Sequence, residues 1–246
     1  MNRTAWIVII AACVLGLGTL IFFTKKDAVN IDDIEPVSIV SSTEDSIGDR
    51  VFGKTDAKVI VFEYADFQCP GCASAFPTIN KIQDLYRDKV AFVFRHFPLT
   101  TIHPNALAAA TVAEAAGQQG KFWEMHDLLF RNRNDWVNLS TDQRGDIFIG
   151  YAQQLDLDTD QFTTDQASAL VAQKIDRDRA LGGKMNVSAT PTLFIGSEKI
   201  SDEILSGPSG NSDAPTGVSI INGDGTAFMD KLDAALKAAG ETPPSR

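Results

Sequence analysis

Runs of apolar residues with different periods divide this chain. Residues 5–23 form one apolar run of 19 residues, with Arg3 before it and Lys25 and Lys26 after it. A polar, acidic stretch with scattered Ile and Val then reaches about Thr55. Lys58-Val-Ile-Val-Phe62 and Val90-Ala-Phe-Val-Phe-Arg-His-Phe97 are short apolar runs of the kind that buried strands require. Between them, Phe76, Ile79, Ile82 and Leu85 recur at helical spacing. A short strand or arm is expected around Asp49-Arg-Val-Phe-Gly53.

Pro98 ends the second strand, and about 80 residues of helical pattern follow. His103-Pro-Asn105 opens an Ala-rich helix that stops near Gly117. Residues 121–130 form a second helix, with Phe122 and Trp123 as core residues. Ser140-Thr-Asp-Gln143 reads as a capping box for a third, with Ile147, Phe148, Tyr151 and Leu155 on one face. A fourth runs from about Asp160 and halts at Gly182-Gly183. Strand pattern returns at Val187-Ser-Ala-Thr-Pro-Thr-Leu-Phe-Ile195, and Gly196-Ser197 predicts a hairpin whose second arm spans 198–204. The turn-forming, polar segment 206–217 predicts a mobile loop. A last helix starts at Gly225-Thr226, carries Phe228, Leu232 and Leu236, and ends at Gly240. The pattern therefore divides into an N-terminal segment 1–26, a tether 27–50, one domain 51–240 with a helical insertion at about 104–183, and a disordered tail 241–246.

The N-terminal run is long enough to cross a hydrocarbon core as a helix. A cleaved signal peptide would want a small-residue cleavage site, and the run instead ends Ile21-Phe-Phe-Thr24. Ile10-Ala-Ala-Cys13 resembles a lipoprotein box, yet ten apolar residues continue beyond Cys13. The run is therefore read as an uncleaved single-pass anchor, with Cys13 facing lipid. Net charge is −10, with 44% hydrophobic and 22% charged residues. That balance is globular and offers no basic face for nucleic acid.

The chemistry concentrates in Glu63-Tyr-Ala-Asp-Phe-Gln-Cys69-Pro-Gly-Cys72, where a strand ends and a helix begins. Cys69 falls at the N-cap and Pro70 at the first helical position, where the missing N–H costs nothing. Free N–H groups and the positive end of the helix dipole stabilise a thiolate there, so Cys69 should be acidic and exposed. Cys72, one turn in, should be buried and protonated. Such a pair suits disulfide exchange: the outer sulfur exchanges and the inner one resolves. Half of a zinc site is a competing reading, but zinc takes about four ligands, and beyond residue 26 the chain offers no other cysteine and only His96, His103 and His126. These histidines are read as packing or hydrogen-bonding residues. A structural disulfide and a Cu(I)-delivery pair also compete with exchange.

Strand, CxxC, helix, strand, helical insertion, Thr-Pro, hairpin and helix, in that order, resemble the thioredoxin superfamily, and the insertion resembles its DsbA-like branch. The resemblance spans residues 51–239 and rests on Phe67-Gln-Cys69-Pro-Gly-Cys72, Arg95-His-Phe-Pro-Leu99, His103-Pro-Asn105, Lys121-Phe-Trp123 and Ala189-Thr190-Pro191-Thr192. It implies an α/β thioredoxin-like fold with an inserted helical domain, preceded here by one transmembrane helix. It also implies that Pro191 is a cis-proline against the active-site disulfide and that the backbone of Thr190 pairs with substrate. An X-Pro bond makes a cis peptide tolerable, and a free strand edge binds extended peptide without reading its sequence. Glu63, six residues before Cys69, then lies beneath the buried cysteine and moves its proton, with a pKa raised by an apolar strand; Asp66 competes for that role. The Pro70-Gly71 dipeptide departs from the Pro-His pair of the best-known oxidases, which implies a less acidic Cys69.

The resemblance implies a thiol:disulfide oxidoreductase that introduces disulfides into secreted or envelope proteins. A reductase or isomerase, or a peptide-binding chaperone-like module, competes with that reading. The expected partners are unfolded secreted proteins with free thiols and a membrane protein that reoxidises the CxxC. No cofactor beyond the Cys69–Cys72 disulfide is needed. A monomer is expected, since a tether of this length cannot build the separate dimerisation domain of some isomerases. The chemistry places the domain outside the cytoplasm, anchored to the membrane.

Overall fold

The computed structural model describes residues 30–206, 219–221 and 223–246. The N-terminal apolar run with Cys13 and nearly all of the segment 206–217 lie outside them. Among the described residues no helix is long and apolar enough to cross a membrane. Five strands form one sheet: β1 (Arg50–Gly53), β2 (Val59–Ala65), β3 (Val90–His96), β4 (Thr192–Ile195) and β5 (Glu198–Lys199). Their order is β1-β3-β2-β4-β5. β2 and β3 are parallel, with Val59 opposite Val90 and Ala65 opposite His96; every other pairing is antiparallel. β2 and β3 read as unbroken apolar runs because both faces of the sheet are covered.

On one face, Val59, Val61, Phe92 and Leu193 pack against Ala75, Ile79 and Ile82 of α1 (Pro70–Tyr86) and against Phe228, Leu232 and Leu236 of α9 (Thr226–Ala238). On the other, Phe62, Tyr64, Val93 and Phe194 meet Val187 together with Val37 and Ile39. Burying each such side chain contributes roughly 1.5–3 kcal/mol. The helical insertion comprises α2 (Ala106–Gln118), α3 (Phe122–Arg131), α4 (Arg133–Trp136), α5 (Thr141–Gln154), α6 (Thr159–Gln166) and α7 (Ala169–Lys184). Its core joins Phe67, Phe76 and Phe94 from the thioredoxin-like part to Phe122, Phe130, Trp136 and Phe148.

Several local expectations are corrected. The fourth helical element is two helices, because Ser168 caps a new one by accepting from the N–H of Val171 at 3.2 Å. Gly182-Gly183 does not stop that helix, which runs on to Lys184. A Cβ on Gly182 would lie 2.8 Å from the Phe97 ring and 3.1 Å from Tyr64, so this glycine allows close helix–sheet approach. The second hairpin arm lasts two residues before the chain turns into α8 (Asp202–Ser206). Ser140 bonds the Gln143 side chain at 3.0 Å instead of capping a backbone N–H. The tail is held in place, not disordered: Arg246 pairs with Asp230 at 2.9 Å and Asp233 at 2.6 Å, and Glu241 pairs with Lys58 at 3.0 Å. The described part of the tether packs on the domain as well, with Ile47 buried.

A buried charge network does that packing. Asp49 pairs with Arg95 of β3 at 2.8 Å, and Lys174 of α7 lies 3.8 Å away. Lys174 also pairs with Asp178, which accepts the His96 main-chain N–H at 3.0 Å. Glu114 of α2 takes Arg50 at 2.6 Å and His96 Nε2 at 2.8 Å. Arg95 donates to the carbonyls of Pro36 and Ser38, which straps residues 31–49 to the sheet. Burial pushes the Asp49 carboxyl up, but Lys174 and Arg95 outweigh it and hold it below the ordinary range.

Candidate active site

The end of β2 and the start of α1 place the two cysteines. Cys69 is the N-cap, with φ −65° and ψ 126°, and Pro70 opens the helix. The Cys69 N–H donates to the carbonyl of Asp66 at 3.0 Å, which closes the turn. Both thiols are free. Cys72 is 1% exposed, and Cys69, expected on the surface, is only 7% exposed. The loop from Ala189 to Thr192 covers Cys69: its Sγ lies 3.2 Å from the carbonyl oxygen of Thr190. The Thr190–Pro191 peptide is cis. A Cβ added to Gly71 would lie 3.4 Å from Pro191 Cδ and 3.6 Å from Thr190 O, so the dipeptide, the proline and the outer sulfur share one surface.

The two sulfurs differ sharply. A hydrogen bond from the Cys72 thiol, then Thr190 and the N–H groups of Cys72 and Gly71, outweigh burial and lower Cys69 from 9.0 to about 5. Thr190 contributes through its side chain, while its carbonyl accepts from the Cys69 thiol when that sulfur is protonated. Burial, the hydrogen bond given to Cys69 and the Cys69 charge push Cys72 well above its ordinary value. The main-chain N–H of Asp66 lies 3.5 Å from Cys72 Sγ and acts the other way.

Glu63 is 7% exposed, on the α1 side of the sheet with Val61. Burial pushes its carboxyl up to about 7, and its charge in turn raises Cys72. It borders a cavity of about 10 Å³ with Ile79, Gln83 and Phe228, close to the smallest space that holds one water. Asp66, the competing carboxylate, is committed elsewhere. It accepts from Gln68 N at 2.7 Å, Leu99 N at 2.9 Å and His103 Nδ1 at 2.7 Å.

The Cys69-Pro70-Gly71-Cys72 turn and the Thr190–Pro191 loop come together on one surface, and Glu63, on β2, is linked to Cys72 through its charge. His96 and His126 lie among ring side chains and the Glu114 carboxylate, away from the sulfurs' hydrogen bonds. The sequence pattern gives no sign of a latch around Gln68. Its Oε1 accepts Asn105 N at 2.6 Å, its Nε2 donates to Val137 O at 2.9 Å, and its carbonyl accepts Arg133 Nε at 2.7 Å. The latch ties the turn before Cys69 to the helical insertion. Among the described residues no group of three or more His, Cys, Asp or Glu side chains is placed to hold a metal ion.

Residues 45–206 match the thioredoxin family, and the chain belongs to that family. Its fold is DsbA-like. BdbD of Bacillus subtilis aligns over 77% of this chain and 93% of its own with a TM-score of 0.60 and 22% identity. MdbA of Corynebacterium diphtheriae, a thiol-disulfide oxidoreductase, aligns over 73% of this chain and 95% of its own at 0.54 and 20%. The curated relatives are longer. A Na(+)/H(+) antiporter NhaA 1 of Salinispora arenicola is 42% identical over 147 residues, 60% of this chain and 21% of that protein. Another NhaA 1, of Mycolicibacterium gilvum, is 32% identical over 202 residues, 78% of this chain and 30% of that protein. The chain therefore spans less than a third of these relatives.

Proposed function

We propose that this protein is a membrane-anchored, extracytoplasmic thiol:disulfide oxidoreductase that donates the Cys69–Cys72 disulfide to secreted or envelope proteins. The observation that carries the reading is the placement of the two sulfurs: Cys69 at a helix N-cap beside the cis Thr190–Pro191 peptide, and Cys72 one turn in and buried, an asymmetry that lowers the first thiol to about 5 and raises the second. A stabilised Cys69 thiolate stabilises the reduced form, and a pair whose reduced form is stabilised is a strong oxidant. That favours donation over reduction even without the Pro-His dipeptide.

A substrate thiolate attacks Cys69 Sγ of the oxidised protein. The Cys69–Cys72 bond breaks, its electron pair goes to Cys72 Sγ, and Cys72 takes a proton. Glu63, raised to about 7, exchanges that proton near neutral pH. A second substrate thiolate then attacks the substrate sulfur of the mixed disulfide, and Cys69 leaves as the stable thiolate. The substrate departs with one new disulfide and the protein with two thiols. The Thr190–Pro191 loop beside Cys69 supplies the backbone against which an extended substrate lies.

A membrane protein returns the pair to the disulfide, and no soluble cofactor takes part. The apolar run at residues 5–23 supports the anchor. The test is oxidative refolding of a reduced two-cysteine substrate by the oxidised full chain in detergent. Disulfide should appear stoichiometrically and fail in Cys69→Ser; refolding that proceeds equally with Cys69→Ser would refute the reading.

A further inference from the structure

Asp66 meets both cysteines through its main chain and neither through its side chain. Its carbonyl accepts the Cys69 N–H at 3.0 Å, and its own N–H faces Cys72 Sγ at 3.5 Å. The side chain, 2% exposed as a residue, is held by three donors. Two are main-chain N–H groups, of Gln68 at 2.7 Å and Leu99 at 2.9 Å. The remaining donor is a side chain: Nδ1 of His103, at 2.7 Å, reaching from the loop after β3. The His103 side chain is 15% exposed. Asp66 is thus clamped between the turn before Cys69 and a loop 37 residues away.

We propose that His103 is a positioning residue for Cys72: through the Asp66 carboxylate it fixes the Asp66 main-chain N–H on Cys72 Sγ. The inference rests on the exchange reading above. In exchange, an electron pair arrives on Cys72 Sγ when the internal disulfide breaks and leaves it when Cys72 attacks the mixed disulfide at Cys69. Burial opposes negative charge on that sulfur, and a pre-aimed N–H offsets the opposition. Cys69 has its own donors in the first turn of α1 and does not depend on this one.

The experiment separates the two sulfurs. The reduced full chain in detergent is mixed with a short peptide carrying one glutathione mixed disulfide, quenched with acid and followed by mass spectrometry. Attack by Cys69 gives the mixed disulfide; attack by Cys72 then releases the bound thiol. His103→Ala should slow release about ten-fold, the worth of one hydrogen bond to a charged sulfur, and leave the first step unchanged. His103→Asn, whose amide nitrogen stands near the Nδ1 position, should recover to within about three-fold of the natural protein. His103→Gln, whose amide reaches the Nε2 position instead, should behave like His103→Ala and serves if the alanine variant does not fold. Release at the natural rate in both His103→Ala and His103→Gln would overturn the proposal, as would equal slowing of both steps with no recovery in His103→Asn. If the natural protein formed no mixed disulfide at all, the exchange reading would fail and this inference with it.

Discussion

Cys69 Sγ lies 3.2 Å from the carbonyl oxygen of Thr190, 121 residues further along the chain. The contact brings the outer sulfur under the loop that carries Pro191, and the Thr190 side chain is among the groups that lower it. Exposure does not make this thiol acidic, since it is 7% exposed; hydrogen bonds do. In the reduced protein the thiolate absorbance should therefore titrate near pH 5, and Cys69→Ser should remove that transition. The sign for stability follows. Because the folded pKa lies below the unfolded one, the thiolate's contribution is complete above about pH 9 and is lost as pH falls toward 5. The reduced natural protein should gain stability over Cys69→Ser across that window.

Glu63 has the opposite sign. Its pKa rises from 4.5 to about 7, so the folded state holds a proton that the unfolded state releases, and stability falls with pH across that window. Glu63→Gln should be more stable than the natural protein above pH 7, by about 3 kcal/mol, and should converge with it at low pH. The same variant should slow the step that moves a proton on or off Cys72, by about 10²-fold, and remove the inflection near pH 7 from its rate profile. Urea unfolding and quenched-flow kinetics at several pH values check both halves.

Cys72→Ser removes the inner sulfur and leaves the outer one with its helix N–H donors. The variant should accumulate a stable mixed disulfide with peptide or protein substrates, visible on a non-reducing gel. Cys69→Ser should accumulate none, because Cys72 is buried and held protonated.

Asp49 is fully buried against Arg95, with Lys174 and Arg177 each 3.8 Å away. Asp49→Ala leaves those cations without their shared anion and should destabilise the fold by about 3 kcal/mol, read by urea unfolding. It should also free residues 31–49 from the sheet, which hydrogen exchange at those amides would register.

The site was legible where its chemistry is contiguous. Cys69-Pro-Gly-Cys72 directly after an apolar run already says strand end, N-cap and first turn, and the structure puts the thiols there. Pro191 came from the family resemblance, because nothing local to Thr190-Pro191 says which residues it faces across the sheet. The burial of Cys69 was missed for the same reason, since its cover is non-local. The Asp49–Arg95–Lys174–Asp178 network is not legible in composition or charge, because Asp49, Arg95 and the Lys174–Asp178 pair are far apart in sequence. Lys174 and Asp178 stand at helical spacing with Val171, Ile175 and Leu181 on the buried face of α7, and that interruption of an apolar stripe was the available signal. The tail is ordered by Arg246, whose pairing with Asp230 and Asp233 no composition rule reveals.

The central claim is tested most directly by the reduction potential of the Cys69–Cys72 pair, measured on the full chain in detergent by equilibration with glutathione buffers. The asymmetry of the two sulfurs predicts a reversible two-electron couple at or above the potential of the glutathione buffer, so that disulfide passes from this protein to substrate thiols. A value near that of thioredoxin, about −270 mV, would contradict the donor role. Failure to form any reversible disulfide would contradict exchange itself.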